Sequence, residues 1–370
     1  MTEAIARVYQ ERAAGADSVA RTASPPASSA YIPTLDGWRA VAVALVLASH
    51  AVGPISPWRD ACGGLGVSIF FGISGYLICG RLLEERRRSG RIRLGAFYVR
   101  RAFRILPPAL VLLTVVALAG AFHVIRVSAL ELGASTFFFR NYVPGHWYTS
   151  HFWSLAVEEH FYLFFPALLV FAGSRRTTWI ALAISGATAV WRVVDTHFGV
   201  LTGRFPGVYA GERTDFRLDG LLLGCFAALV LYRTALRVPR HVALVVAPAC
   251  MALLAASTLH ILPLPEVFKA AAIVAMLVST AFTPDGALGR FLERAPVRWV
   301  GRLSYSLYLW QQVFFVKYPS NRIPWLGPLQ SMPLSLAMVF ALACLSYYVV
   351  ERPMVKVGHR LARSPVPART

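Results

Sequence analysis

The chain alternates long apolar runs with short polar segments rich in arginine. A helix needs about 20 mainly apolar residues to cross a bilayer. By that measure about ten stretches qualify, near residues 35–53, 64–82, 105–124, 152–173, 177–194, 215–233, 241–260, 266–283, 304–318 and 332–350. The pattern predicts an all-α, polytopic membrane protein. The basic segments fall in every second gap between these runs, and so on one side of the membrane: Arg81 to Arg104, Arg175–Arg176, Arg233 to Arg240, Arg290 to Arg302, and the end with Lys356, Arg360 and Arg363. Arginine and lysine mark the cytoplasmic side, so an even number of crossings places both termini there. Residues 1–30, rich in Ala, Ser and Arg, read as a disordered cytoplasmic tail. Residues 31–354 form the transmembrane domain, and 355–370 a basic cytoplasmic tail.

Composition agrees with that pattern. The 370 residues are 56% hydrophobic and only 15% charged, with a mean hydropathy of +0.55. A net charge of +19 would suggest nucleic acid in a soluble protein. Here the arginines are accounted for by loop orientation, and no nucleic-acid partner is expected. The cysteines at 62, 79, 225, 250 and 344 lack zinc-like spacing and mostly lie within apolar runs, so neither a metal site nor a disulfide framework is expected.

Polar groups inside apolar runs carry the candidate chemistry. The first run, TLDGWRAVAVALVLASH, has Asp36 and Arg39 at its entrance and His50 near its far end. Asp36 and Arg39 can pair across one helical turn. Eleven residues separate Arg39 from His50, which at 100° each falls within about 20° of three full turns and gives an offset of roughly 16 Å. Both side chains therefore share one stripe, and burial in lipid would be costly for them. The bland reading of His50 is a helix-end residue bonded to a carbonyl.

In the fourth run, WSLAVEEHFY places Glu158 and Glu159 inside an apolar helix, with Tyr162 on the face of Glu158. Glu158 should lie near the depth of His50. A carboxylate beside an imidazole fixes its tautomer, the pairing that general-base catalysis uses. Arg101 and Arg104 are one turn apart, and such guanidinium forks suit phosphate. Their bland reading is a positive-inside flank. Ser74, in FFGISGYLI, would be a nucleophile only with a base beside it, and the sequence shows none. Arg217 and Asp219 sit at the outer mouth of the sixth run, with Arg217 either serving a site or forming a local ion pair with Asp215 or Asp219.

Together these stretches resemble acyltransferase family 3, membrane proteins that O-acylate sugars and natural products such as macrolides. The resemblance covers roughly residues 31–354 and rests on LDGWRAVAVALVLASH, FFGISGYLI, RRAFRILPP, WSLAVEEHFY, RLDGLLLG, LSYSLYLW and YYVVERP in that order. It implies a bacterial inner-membrane enzyme taking an acyl group from acyl-CoA, such as acetyl-CoA, to a hydroxyl of a glycan or secondary metabolite. The resemblance makes His50 the catalytic candidate, and the motif glutamate maps onto Glu158. Its arginines map onto Arg39, Arg101 and Arg104, the expected donor site. Trp153, Tyr162, Arg217 and Asp219 are the expected substrate-binding residues. Gln311 departs from the pattern, since the family commonly has histidine after LSYSLYLW. The rival class is a transporter of a polar metabolite or lipid-linked sugar. That reading explains intramembrane charge, but not arginines aligned with an imidazole.

Overall fold

The structure, a computed structural model, describes residues 31–51, 57–234, 236, 238–316 and 318–363. The expected tail over residues 1–30 and the last residues, 364–370, lie outside the described residues. The chain is helical, with no strand among the described residues. The helices are α1 (Pro33–Ala51), α2 (Pro57–Ser89), α3 (Leu94–Ala121), α4 (Ala129–Thr136), α5 (Trp147–Ser150), α6 (Phe152–Phe198) and α7 (Thr214–Thr234). They continue with α8 (Arg240–Thr258), α9 (Glu266–Phe282), α10 (Ala287–Leu292), α11 (Ala295–Phe314), α12 (Leu334–Leu345) and α13 (Arg352–Arg363).

Each apolar stretch read from the sequence falls on one of these helices. Five stretches are long and apolar enough to cross a membrane among the described residues: Pro57–Ser89, Leu94–Ala121, Trp147–Phe198, Arg240–Thr258 and Leu334–Arg363. The chain is thus a multi-pass membrane protein. The fourth and fifth runs are continuous in α6 except at Gly173, whose φ of 72° breaks the helical path between them. A left-handed backbone is easily adopted only by glycine, so the bend is fixed at that residue. Residues 355–363, expected within a basic tail, form most of α13, which packs along α3.

Two close helix crossings organise the interior. α1 lies between α2 and α11, while α2 and α6 both pack extensively on α7. A Cβ on Gly301 of α11 would stand 1.8 Å from the Asp36 carbonyl oxygen, and one on Gly75 of α2 would stand 1.9 Å from that of Leu221 in α7. Small residues let the backbones meet, as in other membrane helix pairs. The first contact sets α11 alongside α1 and carries Gln311 to the level of His50. The second holds Ser74 against the core. Trp38 adds a fixed point, donating from Nε1 to Thr280 Oγ1 of α9 at 2.9 Å.

Candidate active site

The expected ion pair at the start of α1 forms, with Arg39 Nη1 3.1 Å from Asp36 Oδ1. Asp36 Oδ2 also accepts a very short bond from the Tyr31 hydroxyl. This carboxylate fixes Arg39 at the edge of a narrow cavity of about 90 Å³ lined by Arg39, Arg81, Arg101, Arg104, Ser74 and Glu158. Arg101 lies over the Tyr162 ring, 4.2 Å from its centroid, a cation–π contact that holds the guanidinium in place. Arg39, Arg81 and Arg104 also line a neighbouring cavity of about 250 Å³ with Arg302, Arg352 and Glu351. A π turn over Ser346–Glu351 brings Glu351 inward, where Oε2 accepts from Ser306 Oγ at 2.9 Å.

Arg81 was not singled out by sequence reasoning, because it looked like the first residue of a basic loop. The helix continues through it to Ser89. Ser74, Leu77 and Arg81, spaced by three and four residues, share one face and line the same cavity. That spacing was the available signal.

His50 opens into a second, larger cavity of about 950 Å³, whose wall includes Trp147, His151, Trp153, Arg217, Lys269 and Gln312. Val67 and Tyr308 line both the arginine cavity and the histidine cavity, so the two adjoin at these side chains. The shared stripe of α1 therefore has Arg39 in one chamber and His50 in the next. His50 Nδ1 is 2.9 Å from Gln311 Oε1, and the edge of Trp147 meets its ring at a centroid separation of 5.4 Å. With the carbonyl oxygen of the amide accepting, Nδ1 carries the proton and the lone pair is on Nε2.

The expected orientation of His50 by Glu158 is corrected by this geometry. Glu158 accepts from Ser74 Oγ at 2.8 Å and from the Tyr162 hydroxyl at 3.0 Å, within the arginine cavity. Glu158 lies at the Arg39 end of the stripe and not at the depth of His50, and its partners come from α2 and its own helix. The group at His50 Nδ1 is instead the glutamine that departs from the family pattern. Ser74 does have a carboxylate beside it, a pairing invisible in the sequence because the two residues are 84 positions apart.

The expected substrate residues divide between chambers. Tyr162 is in the arginine cavity, while Trp153 and Arg217 line the histidine cavity, with the Arg217 guanidinium 5.5 Å from the Trp153 ring centroid. The local ion pair considered for Arg217 does not form. Arg217 reaches Glu266 at 3.5 Å, Arg213 takes Asp215 and Asp195, and Arg192 takes Asp219 at 2.7 Å. Asp219 is buried in that last pair and lines neither chamber. It joins α6 to α7 and is corrected to a packing role.

The loop that carries Trp147 against His50 is tied down by Glu131 of α4. Its Oε1 accepts from the His146 backbone N–H at 2.5 Å and from Thr149 Oγ1 at 3.1 Å. Its Oε2 lies 2.7 Å from His146 Nδ1 and accepts from the Ser128 backbone N–H at 2.9 Å. Burial alone would raise the Glu131 pKa, but the donors of His146 and Ser128 outweigh it and hold the value near 2. An ordinary glutamate titrates near 4.3. The depressed value means that this carboxylate stabilises the fold above the ordinary pKa, and loses that contribution as pH falls towards about 2. Glu131→Gln should therefore lower the melting temperature in detergent at pH 7, with the difference from the native protein shrinking below about pH 4. A constant difference across that range would contradict the assignment.

Among the described residues, no group of His, Cys, Asp and Glu is arranged to hold a metal ion.

Residues 32–350 match the family described as "Acyltransferase domain". The chain is similar to the O-acetyltransferase OatA of Staphylococcus aureus (strain NCTC 8325 / PS 47), with 30% identity covering 90% of this chain and 58% of the relative. It is 31% identical to the peptidoglycan O-acetyltransferase OatA of Listeria monocytogenes serovar 1/2a, covering 90% of this chain and 57% of that protein. The chain thus spans less than two thirds of the length of these relatives. No solved structure matches it.

Proposed function

The chain belongs to the acyltransferase family whose domain matches residues 32–350, and we propose on that premise that it is a membrane O-acyltransferase using acyl-CoA. The observation that carries this reading is the division of one helix face between two adjoining chambers, Arg39 in an arginine-lined one and His50 in a larger one. A coenzyme A thioester has the same polarity, with phosphates at one end and the reactive carbon at the other. Its phosphates bind Arg39, Arg81, Arg101 and Arg104, where guanidinium forks offer charge-assisted bonds. The thin pantetheine arm passes Val67 and Tyr308, and the roughly 16 Å between Arg39 and His50 is spanned by that arm.

At His50, Nε2 takes the proton of an acceptor hydroxyl as its oxygen attacks the thioester carbonyl. The tetrahedral intermediate collapses with cleavage of the C–S bond, and the coenzyme A thiolate leaves with the proton from the imidazolium. Gln311 accepts from Nδ1–H throughout and fixes the tautomer. Glu158, bonded to Ser74 and Tyr162, acts in the donor chamber, where Tyr162 supports Arg101. About ten crossings with both termini in the cytoplasm would open the arginine chamber to cytoplasmic acyl-CoA.

The acceptor is a carbohydrate hydroxyl. A relative's name specifies peptidoglycan, and the large chamber with Trp147, Trp153 and Arg217 offers the aromatic and polar wall a sugar needs. Purified protein with radiolabelled acetyl-CoA should acetylate a peptidoglycan-derived sugar and release free coenzyme A. Transfer only to a macrolide would replace the acceptor class. Uptake of sugar into vesicles with no thioester consumed would replace the enzyme by a transporter.

A further inference from the structure

Gln311 and Gln312 are consecutive on α11, and each amide meets a different imidazole. Gln312 Oε1 is 2.7 Å from His151 Nδ1 and also accepts from Ser150 Oγ at 3.1 Å and from the His151 backbone N–H at 3.4 Å. A backbone N–H only donates, so this amide atom is the oxygen and His151 Nδ1 must carry its proton. The lone pair of the ring is therefore on Nε2. That atom is buried and has no hydrogen-bond partner, although His151 forms part of the wall of the histidine chamber.

The surrounding contacts leave little freedom to turn the ring. The Gln312 carbonyl accepts from Trp147 Nε1 at 2.9 Å, and Tyr308 donates to the His151 carbonyl at 3.1 Å while its hydroxyl meets Ser154 Oγ at 2.6 Å. Phe152 and Tyr308 pack on the His151 ring, at centroid separations of 4.9 and 5.7 Å. A buried acceptor held this firmly without a donor is uncommon in native proteins. A molecule that enters the chamber can supply that donor.

We propose that His151 Nε2 accepts a hydrogen bond from a second hydroxyl of the acceptor, so that the substrate is a polyol such as a sugar ring, with one hydroxyl at His50 and another at His151. The inference rests on the acyl-transfer reading above and adds an acceptor-binding residue to it. A simple alcohol would satisfy His50 and leave His151 unpaired. His151 thereby selects which hydroxyl is acylated.

The test uses purified full-length protein, acetyl-CoA, and a methyl glycoside of N-acetylglucosamine together with its singly deoxygenated analogues. In His151→Asn the side-chain amide nitrogen replaces Nδ1 as donor to Gln312, but nothing replaces Nε2. This variant should keep the native melting temperature and the native KM for acetyl-CoA, and raise KM for the glycoside about tenfold, the effect of one lost hydrogen bond. One deoxy analogue should cost the native protein a similar factor and cost His151→Asn nothing further. Equal acceptor KM in the native and Asn forms would overturn the inference, and would mean that a water satisfies Nε2. Loss of stability and activity in His151→Phe with both retained in His151→Asn would show a structural role only. If the native protein transfers no acetyl group, the acyl-transfer reading fails and this inference with it. If it transfers normally but the two losses simply add, only the inference fails.

Discussion

His50→Ala is expected to lose acyl transfer by about 10²- to 10⁴-fold, the usual contribution of a positioned general base. α1 puts the imidazole in the wall of the large chamber, and Gln311 Oε1 meets its Nδ1 from the far side. The loss should appear in kcat, since the proton is moved only as the carbonyl is attacked. Binding of acyl-CoA, measured separately by equilibrium methods, should stay within about twofold of the native value, because Arg39 and its neighbours are roughly 16 Å away along the helix.

Alanine also leaves the buried Gln311 amide without its ring partner, so loss of activity could reflect loss of structure. His50→Asn answers this, since its amide nitrogen can still donate to Gln311 while Nε2 is gone. It should fold and insert as the native protein does and be equally inactive. Native-like turnover in either variant would remove His50 from the chemistry.

The second large effect is expected in the arginine chamber. Arg101→Ala and Arg104→Ala should each raise KM for acyl-CoA by roughly 10- to 100-fold, as hydrogen bonds to charged groups contribute about 1.5–3 kcal/mol each. At saturating donor, kcat should change little, because the phosphates stay bound through reaction and their binding is uniform. Arg101 has a further role in the geometry, since it is stacked on Tyr162, whose hydroxyl donates to Glu158. Tyr162→Phe keeps the ring under the guanidinium and removes only that hydroxyl. It should therefore affect donor KM far less than Arg101→Ala. The outcome that would sink the phosphate site is unchanged acyl-CoA affinity in both arginine variants, which would return these residues to marking membrane orientation.

The arginine and histidine ends of α1 were legible because both belong to one helix. Three turns of regular geometry are enough to place Arg39 and His50 on one stripe without knowledge of any neighbour. The Asp36–Arg39 pair is similarly local, and it forms as expected. Glu158 was legible as an unusual carboxylate within an apolar run, but not its partner. Depth in the bilayer is a one-dimensional coordinate, whereas contact also requires knowing which helices are adjacent and how each is rotated. The main neighbours of α1 are α2 and α11, so the ring meets Gln311 at 261 residues' separation, while α2 brings Ser74 to Glu158. The placement of Asp219 was hidden for the same reason: it pairs with Arg192, while Arg217 reaches Glu266 and stays in the wall of the histidine chamber.

The apolar periodicity and arginine distribution were sufficient to determine a multi-pass helical membrane protein, and the ordered motifs were sufficient for its family. The membrane character depends on transfer of each segment from water to lipid, which composition alone dictates. Only the tertiary structure decided that Arg39 and His50 face two chambers, that an amide meets His50, and that His151 stands in the same wall. Lipid is as apolar as the helix surfaces it covers, so helix pairing is left to close-fitting small residues such as Gly75 and Gly301 and to hydrogen bonds between distant segments. Those choices are made among helices and are not written along any single one.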